Sequence, residues 1–353
     1  MHAFVFDTRL PRVVFGAGSL ERLPQELDRL GFGRALVLST PGQAALAERV
    51  AATLAPRAAG VFADARMHVP VEVARAACDE ARRVGADCTV AVGGGSTTGL
   101  GKAVAFETGL PMIALPTTYA GSEMTSMYGL TEAGLKRTGR DPRVVPSCVV
   151  YDPELSRTLP FGVTRVSVMN ALAHAAEGLY APDGNPLVDR MAEEGIRLGA
   201  ATLPRLQADS SDLAARGDAL VCAWLCGTVM GSTTVGLHHK LCHTLGGSFG
   251  LPHAEVHAVI LPHALAYNAA AAPEAMATMA RALQAAEAAR GFFDLNARHG
   301  GPTALQAIGM HADDLDRAAR LAVENQYPNP RPLELAPVRE LLQRAFEGRP
   351  PAD

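Results

Sequence analysis

The sequence lacks the features that mark several large classes of protein. Aromatic residues make up only 5% of its 353 residues, which is low for a platform that stacks single-stranded nucleic acid. The formal net charge is -4, so the chain has no basic field to attract a phosphate backbone. We therefore expect no nucleic-acid partner. A small anionic substrate is still compatible with this charge, because it needs only a local group of cations.

Signals for export, membrane insertion and disulfide bonding are also missing. The N-terminal stretch "MHAFVFDTRLPRVV" has no basic region followed by an apolar core and a cleavage site, so we expect no signal peptide. The apolar segment "ALVCAWLCGTVMGSTTVG" is interrupted by glycine and hydroxyl residues, which is typical of a buried helix rather than a membrane span. The six cysteines include no CxxC pair, and Cys222 and Cys226 lie at helical spacing in an apolar run. These features predict a reduced, cytoplasmic protein without a membrane partner.

The chain does contain the pattern of a two-domain α/β protein. Short β-branched runs alternate with alanine-rich amphipathic stretches over the first 150 or so residues, which predicts a parallel sheet covered by helices. The candidate strands are "RVVFG", "RALVLS", "GVFAD", "CTVAVGG", "MIALPTT" and "CVVYDP". After Pro153 the strand-like runs give way to long helical patterns. We predict a dinucleotide-binding α/β domain over residues 1–156, an all-α substrate domain over residues 157–353, and a cleft between them.

A glycine-rich turn marks the candidate cofactor site. In "VAVGGGSTTGLGKAVAF", Gly93, Gly94 and Gly95 fall between a strand and a helix, where backbone can approach a pyrophosphate and the helix N-terminus directs free N–H groups at it. Ser96 can add a hydroxyl donor. The alternative is a tight glycine turn that binds nothing.

Hydroxyl residues at two neighbouring strand ends extend this site. Thr117 and Thr118 follow the fifth strand and could contact the ribose or the nicotinamide carboxamide, or only the backbone of their own turn. Ser39 ends the second strand, where an acidic residue would bind the ribose 2′-hydroxyl and repel a 2′-phosphate. Because Ser39 does neither, we expect NADH and NADPH both to be accepted.

Histidines crowd two later segments. "NALAHAAEG" places Asn170 and His174 four positions apart, on one face of a helix. "HHKLCHTLGGSFGLPH" repeats that spacing with His239 and His243 and ends at His253. Such a crowd usually surrounds a metal ion, yet the position suited to a carboxylate holds the amide of Asn170.

These motifs together resemble the iron-containing (group III) alcohol dehydrogenase family. The segments that carry the resemblance run in the family's order over almost the whole chain: "GGGSTTGLGK", "PTTYAGSE", "YDPELSRTLP", "NALAHAAEG", "HHKLCHTLGGSFGLPHAEVHAVILPHALAYN" and "NPRP". The resemblance implies an N-terminal dinucleotide domain, a C-terminal helical domain and a homodimer. It also implies that Lys136 lies near the cofactor and His243 near the nicotinamide.

Two departures from the family pattern narrow the expected activity. The family's glycine motif has an acidic residue where this chain has Gly99, and its metal site of one carboxylate and three histidines falls on Asn170, His174, His239 and His253. Both departures are shared by a branch that reduces 4-oxohex-2-enedioate to 3-oxoadipate in aromatic-compound degradation. The resemblance therefore implies hydride addition to a carbon–carbon double bond conjugated to a ketone, in a small dicarboxylate.

This reaction does not require a metal on chemical grounds. Hydride addition to the conjugated alkene produces an enolate, which is less basic than the alkoxide of an alcohol dehydrogenase, so hydrogen-bond donors can stabilise it. We expect His243 to donate to the ketone oxygen or to relay a proton. We expect His174, His239 and His253 to line the substrate pocket beside Asn170, where a protonated histidine can pair with a substrate carboxylate.

Two alternatives remain open at this point. A metal-dependent alcohol or polyol dehydrogenase of the same family would hold iron or zinc on His174, His239 and His253 with Asn170, although a neutral amide is a poor ligand. The other alternative is a protein without catalytic activity that binds nucleotide as a sensor or scaffold, and the set of histidines argues against it.

Overall fold

The computed structural model describes residues 4–132 and 135–351, with only the backbone of residues 135 and 136. The described residues form two compact units. One comprises residues 8–159 and 211–220, and the other comprises residues 4–7, 160–210 and 221–351. The single boundary predicted between residues 156 and 157 differs from this division, because residues 4–7 and 211–220 each group with the unit that is distant in sequence.

The first unit is built on a parallel sheet. Its strands are β1 Arg12–Phe15, β2 Ala35–Leu38, β3 Ala58–Phe62, β4 Cys88–Gly93, β5 Met112–Pro116 and β8 Cys148–Tyr151, in the order β1-β8-β5-β4-β2-β3. All their pairings are parallel. A separate antiparallel hairpin consists of β6 Met127–Glu132 and β7 Leu135–Arg140. The helices of this part of the chain are α1 Leu23–Leu30, α2 Ala44–Thr53, α3 Val71–Val84 and α4 Gly95–Thr108.

Both faces of the sheet are buried. In β2, Ala35 and Val37 belong to one hydrophobic cluster and Leu36 and Leu38 to another. Alternate residues of a strand point to opposite faces, so two separate cores cover the sheet. This confirms the predicted α/β fold.

The second unit is helical. Its helices are α5 Phe161–Gly178, α6 Pro186–Ala208, α7 Leu213–Ser232, α8 Leu237–Phe249, α9 His253–Asn268, α10 Pro273–Leu283, α11 Ala288–Arg298, α12 Leu315–Val323 and α13 Leu335–Glu347; the start of α7 groups with the α/β unit. Within the described residues, α7 is the one helix long and apolar enough to span a membrane, and 61% of its apolar window is buried.

Local sequence signals set the two helices that carry the histidines. Helix α8 ends at Gly250, whose φ of 68° is the left-handed conformation that glycine adopts most readily at a helix C-terminus. Pro252 precedes the first residue of α9, His253, and has extended backbone. The short connection between Gly250 and His253 places the start of α9 directly after the end of α8.

Candidate active site

The helical unit gathers its histidines into one cluster. Helices α5, α8 and α9 supply the members: His174, His238, His239, His243, His253 and His257. The rings of His174 and His239 are stacked with centroids 5.2 Å apart. Of these residues, His174, His239, His243 and His253 were predicted from the sequence, and the structure places all four in the cluster.

Three buried imidazoles in this cluster could hold a cation. His174, His239 and His257 offer ligand atoms that all lie within 4.8 Å of one another. Each also has one buried ring nitrogen with no hydrogen-bond partner, as does the Oδ1 atom of Asn170, one helical turn before His174. Three neutral imidazoles are a known zinc ligand set, so these residues fit a divalent metal. The fourth group is an uncharged amide oxygen, which attracts such an ion far less than a carboxylate.

This group of three differs from the set that the family resemblance implies. It includes His257, which the sequence analysis did not name, whereas the role of His253 as a ligand stays a prediction. His253 is the first residue of α9 and is partly exposed, whereas His257 lies one turn further into the helix and is fully buried. Their rings remain in contact, with centroids 4.5 Å apart.

A buried carboxylate that the sequence analysis missed orients His239. The Glu177 side chain is 1% exposed and accepts hydrogen bonds from the backbone N–H groups of Gly236 and His238, at 2.9 and 2.8 Å. It also lies 2.5 Å from Nδ1 of His239. An ionised carboxylate only accepts, so Nδ1 carries the proton. The arrangement is the carboxylate–histidine pairing that fixes a ring and its tautomer. The sequence signal that could have identified Glu177 is its position as a single acidic residue in an otherwise apolar stretch of α5.

Burial favours the neutral form of the deeper histidines. His238 Nε2 and His257 Nδ1 are 2.8 Å apart, which requires a proton on only one of them. Burial, reinforced by the neighbouring imidazoles, lowers the pKa of His174, His238 and His257 well below the usual value. In its neutral form His174 offers a hydrogen bond but no charge, and its pairing as a cation with a substrate carboxylate stays a prediction.

His243 has a different environment. Its Nδ1 atom lies 3.1 Å from the hydroxyl of Tyr327, in the segment after α12. It is partly exposed, and its ring is 6.0 Å from that of His239. His243 therefore links the buried imidazoles to an open pocket, which suits a group that donates to substrate.

In the α/β unit, the glycine-rich turn has the geometry of a phosphate site. Gly93 ends β4 with φ 157°, and Gly95 begins α4. A Cβ atom on Gly93 would lie 2.3 Å from Thr97 Oγ1, and one on Gly94 would lie 2.8 Å from Thr118 Cγ2, so both positions need glycine. Gly95 is exposed with open space around it, and Ser96 follows in the first turn of α4. These are the features that let a phosphate reach a helix N-terminus.

The predicted hydroxyl residues divide into buried and accessible ones. Thr117 is 1% exposed and its Oγ1 accepts from Gln43 Nε2 at 2.8 Å; Gln43 was missed because nothing in its local sequence marks it. Ser39 is fully buried and donates to the carbonyl of Thr40 at 3.2 Å. Both hydroxyls thus have internal partners in the structure, and direct cofactor contacts by Thr117 and Ser39 stay a prediction. Thr118 is partly exposed beside Gly94.

The backbone of Lys136 pairs with Thr131, and its side chain lies outside the described residues.

Packing explains why an acidic residue is absent at Gly99. A Cβ atom there would lie 2.8 Å from Cγ2 of Val69, a stiff β-branched side chain. A longer side chain would have to displace the segment that leads into α3.

Lys102 ties α4 to the loop that follows β5. Its Nζ atom lies within 2.9 Å of the carbonyl oxygens of Ser122, Thr125 and Met127 and of the Thr125 hydroxyl. Burial lowers the pKa of Lys102 to about 7, while Glu123 acts in the opposite direction. The cage of oxygen atoms favours the ammonium form.

We expect Lys102→Met to destabilise the protein by on the order of 3 kcal/mol or more, because three buried carbonyl groups lose their partner. Thr125→Val removes one of the four acceptors and should lower the free energy of unfolding by about a third as much. Denaturant unfolding of both variants measures this. Equal unfolding midpoints for wild type and Lys102→Met would contradict the structural role.

Comparison with known proteins places this chain among a defined set of relatives. A family model described as iron-containing alcohol dehydrogenase matches residues 11–153, and one described as the C-terminal part of the Fe-containing alcohol dehydrogenase family matches residues 164–346. The chain is 61% identical over 352 residues to a maleylacetate reductase of Burkholderia cepacia, covering 100% of each. The crystal structure of maleylacetate reductase from Agrobacterium tumefaciens matches with a TM-score of 0.96 at 52% identity, covering 99% of this chain and 100% of that one. The enzyme of the same name from Rhizobium sp. strain MTP-10005 matches with a TM-score of 0.95 at 52% identity, with the same coverage.

Proposed function

The chain belongs to the iron-containing alcohol dehydrogenase family, and from that membership we propose that it reduces maleylacetate (4-oxohex-2-enedioate) to 3-oxoadipate with NADH or NADPH. The full-length identity of 61% to a maleylacetate reductase is the observation that carries this proposal. Asn170, in place of the family carboxylate, supports it from within the site. The step belongs to the degradation of aromatic compounds.

The reaction balances as a hydride and a proton added across one double bond. The reduced nicotinamide gives a hydride to the alkene carbon distal to the ketone, and the electron pair moves onto the ketone oxygen as an enolate. A proton then adds to the alkene carbon next to the ketone, leaving the ketone intact. The demand on the protein is to stabilise a delocalised negative charge and to supply one proton.

The described side chains meet that demand by hydrogen bonding. His243, partnered by Tyr327, donates to the ketone oxygen or passes on the proton. Asn170 and His239 line the substrate side, the latter held by Glu177. One donor placed at a developing oxyanion is worth about 2.7–4 kcal/mol in a dry site.

We propose that no metal is required. A metal ion bound by His174, His239 and His257 with Asn170 would supply Lewis-acid polarisation of the carbonyl. An enolate needs this help less than an alkoxide does, and the amide of Asn170 brings no charge to retain the ion.

Spectrophotometric oxidation of NADH by maleylacetate tests the proposed activity directly. We expect the protein to oxidise NADH with maleylacetate and to show no oxidation of simple alcohols by the oxidised cofactor. Turnover of alcohols alone would contradict the proposal.

Cofactor choice gives a further prediction. The second strand is followed by Ser39 and Thr40, with no acid, so both NADH and NADPH should be oxidised. Thr40→Asp, at the partly exposed position, should lower kcat/KM for NADPH at least about tenfold relative to NADH, through repulsion of the 2′-phosphate. Thr40→Asn is the uncharged control. Exclusion of NADPH by the wild type would contradict the prediction.

The family resemblance also supports a homodimer in the cytoplasm. Sedimentation equilibrium gives the mass in solution, and a monomer at micromolar concentration would contradict that assembly.

A further inference from the structure

The few lysines of this chain point to a pocket that adjoins the histidine cluster at His243. The sequence has 3 lysines against 29 arginines, so nearly every cation is a guanidinium. Lys102 is enclosed in its cage of oxygen atoms, and the Lys136 side chain lies outside the described residues. Lys240 is the third, and it lines a pocket. A compact ammonium binds one anion as a point charge, whereas arginine forms a planar fork, so the two are not interchangeable.

The pocket around Lys240 is small and polar. It has a volume of about 220 Å³, and its lining includes Lys240, His243, Thr244, Ser248, Asn325 and Tyr327. That volume is below the roughly 300–1,000 Å³ of sites for drug-sized ligands. A small organic acid fits it better than a nucleotide does.

The polar groups of this pocket are arranged around Tyr327. Lys240, His243 and Thr244 lie three and four positions apart on α8 and so share one face of the helix. The Lys240 ammonium lies 5.6 Å from the centre of the Tyr327 ring, and the Tyr327 hydroxyl contacts His243 Nδ1 at 3.1 Å. The pocket therefore combines one cation, several hydroxyl groups and the imidazole assigned to catalysis.

We propose that this pocket binds one carboxylate of the dicarboxylate substrate, with Lys240 as its counter-cation. The inference rests on the proposed function and adds a specificity-determining residue to it. A carboxylate held by Lys240 and neighbouring hydroxyls keeps the remainder of the substrate beside His243, which lines the same pocket. Charge-assisted hydrogen bonds of this kind are about twice as strong as neutral ones.

Glu324 lines the same pocket, and its carboxylate interacts with the Lys240 ammonium. A bound anion therefore competes with Glu324 for the cation. The two residues should consequently have opposite effects on substrate affinity.

The test compares maleylacetate with two analogues that each lack one carboxylate, 4-oxopent-2-enoate and 3-oxopent-4-enoate. Lys240→Met should lower kcat/KM for maleylacetate about 10- to 100-fold. For the one analogue that lacks the carboxylate bound by Lys240, kcat/KM of this variant should stay within about twofold of the wild-type value. For maleylacetate, kcat/KM of Lys240→Arg should lie between those of the wild type and Lys240→Met. Glu324→Gln should lower KM for maleylacetate. Arg290→Met, which removes an exposed cation from α11, is the control for general loss of charge.

The outcomes separate the inference from the proposed function. An equal loss with maleylacetate and both analogues, or no loss with any, would overturn the role of Lys240. Failure of the wild type to reduce maleylacetate would instead contradict the proposed function. In that case, calorimetric binding of 3-oxoadipate to the wild type but not to Lys240→Met would still support the carboxylate site, and equal binding to both would overturn it.

Discussion

His243→Phe is expected to lower kcat for maleylacetate reduction by about 10²- to 10³-fold, the usual cost of removing a donor to a developing oxyanion. The imidazole is partly exposed and lines the pocket. Phenylalanine preserves the ring shape but neither donates a hydrogen bond nor carries a proton. Steady-state kinetics measures kcat, and fluorescence titration should show that NADH binds within about twofold of the wild-type affinity, since the cofactor motif is unchanged.

Two further variants make this result specific. Tyr327→Phe removes the hydroxyl at Nδ1 of His243 and should cost less, about tenfold, because it disturbs only the orientation of the ring. His263→Phe alters another buried histidine of α9, whose pKa burial lowers to about 4. It should reduce stability while leaving kcat near the wild-type value. Less than a tenfold loss of kcat in His243→Phe would remove this residue from the mechanism.

Asn170→Asp should convert the site into a metal-binding one. The Oδ1 atom of Asn170 is buried without a partner, near imidazoles whose ligand atoms lie within 4.8 Å of one another. Opposite unit charges 4 Å apart interact by about 4 kcal/mol at an effective dielectric constant of 20, and more for a divalent ion. We therefore expect zinc affinity to rise more than about 100-fold and maleylacetate reduction to fall.

Metal content after gel filtration and the shift of Tm with added Zn²⁺ both report binding without relying on activity. Asn170→Leu offers no ligand atom and should gain no affinity. Equal zinc affinity in Asn170→Asp and the wild type would show that these imidazoles do not form a metal site.

The parallel sheet was predictable from the sequence because its central strands β2, β4, β5 and β8 are buried on both faces and read as continuous apolar runs. All six predicted strands are present, for example "CTVAVGG" as β4 and "MIALPTT" as β5. The hairpin of β6 and β7 was missed. Its β6 residues are only partly buried and include Gly129 and Glu132, so no apolar pattern distinguishes them from a loop.

The candidate site was predictable only where a local pattern reports it. The spacing of Asn170 and His174, and of His239 and His243, places each pair on one helix face, and the structure brings the three histidines into one cluster. The role of Glu177 depends on residues 59 to 62 positions away, which no local pattern encodes. The lowered pKa of His174 follows from burial among other histidines, which also appears only after folding.

In the proposed mechanism the enolate carries the negative charge of the reaction, and imidazole and amide groups stabilise it by hydrogen bonding. Assaying maleylacetate reduction after exhaustive chelation, with the residual iron and zinc measured in the same sample, tests it most directly. We expect full turnover by protein that contains far less than one metal ion per chain. Stoichiometric metal whose removal abolishes turnover, and whose return restores it, would contradict the account.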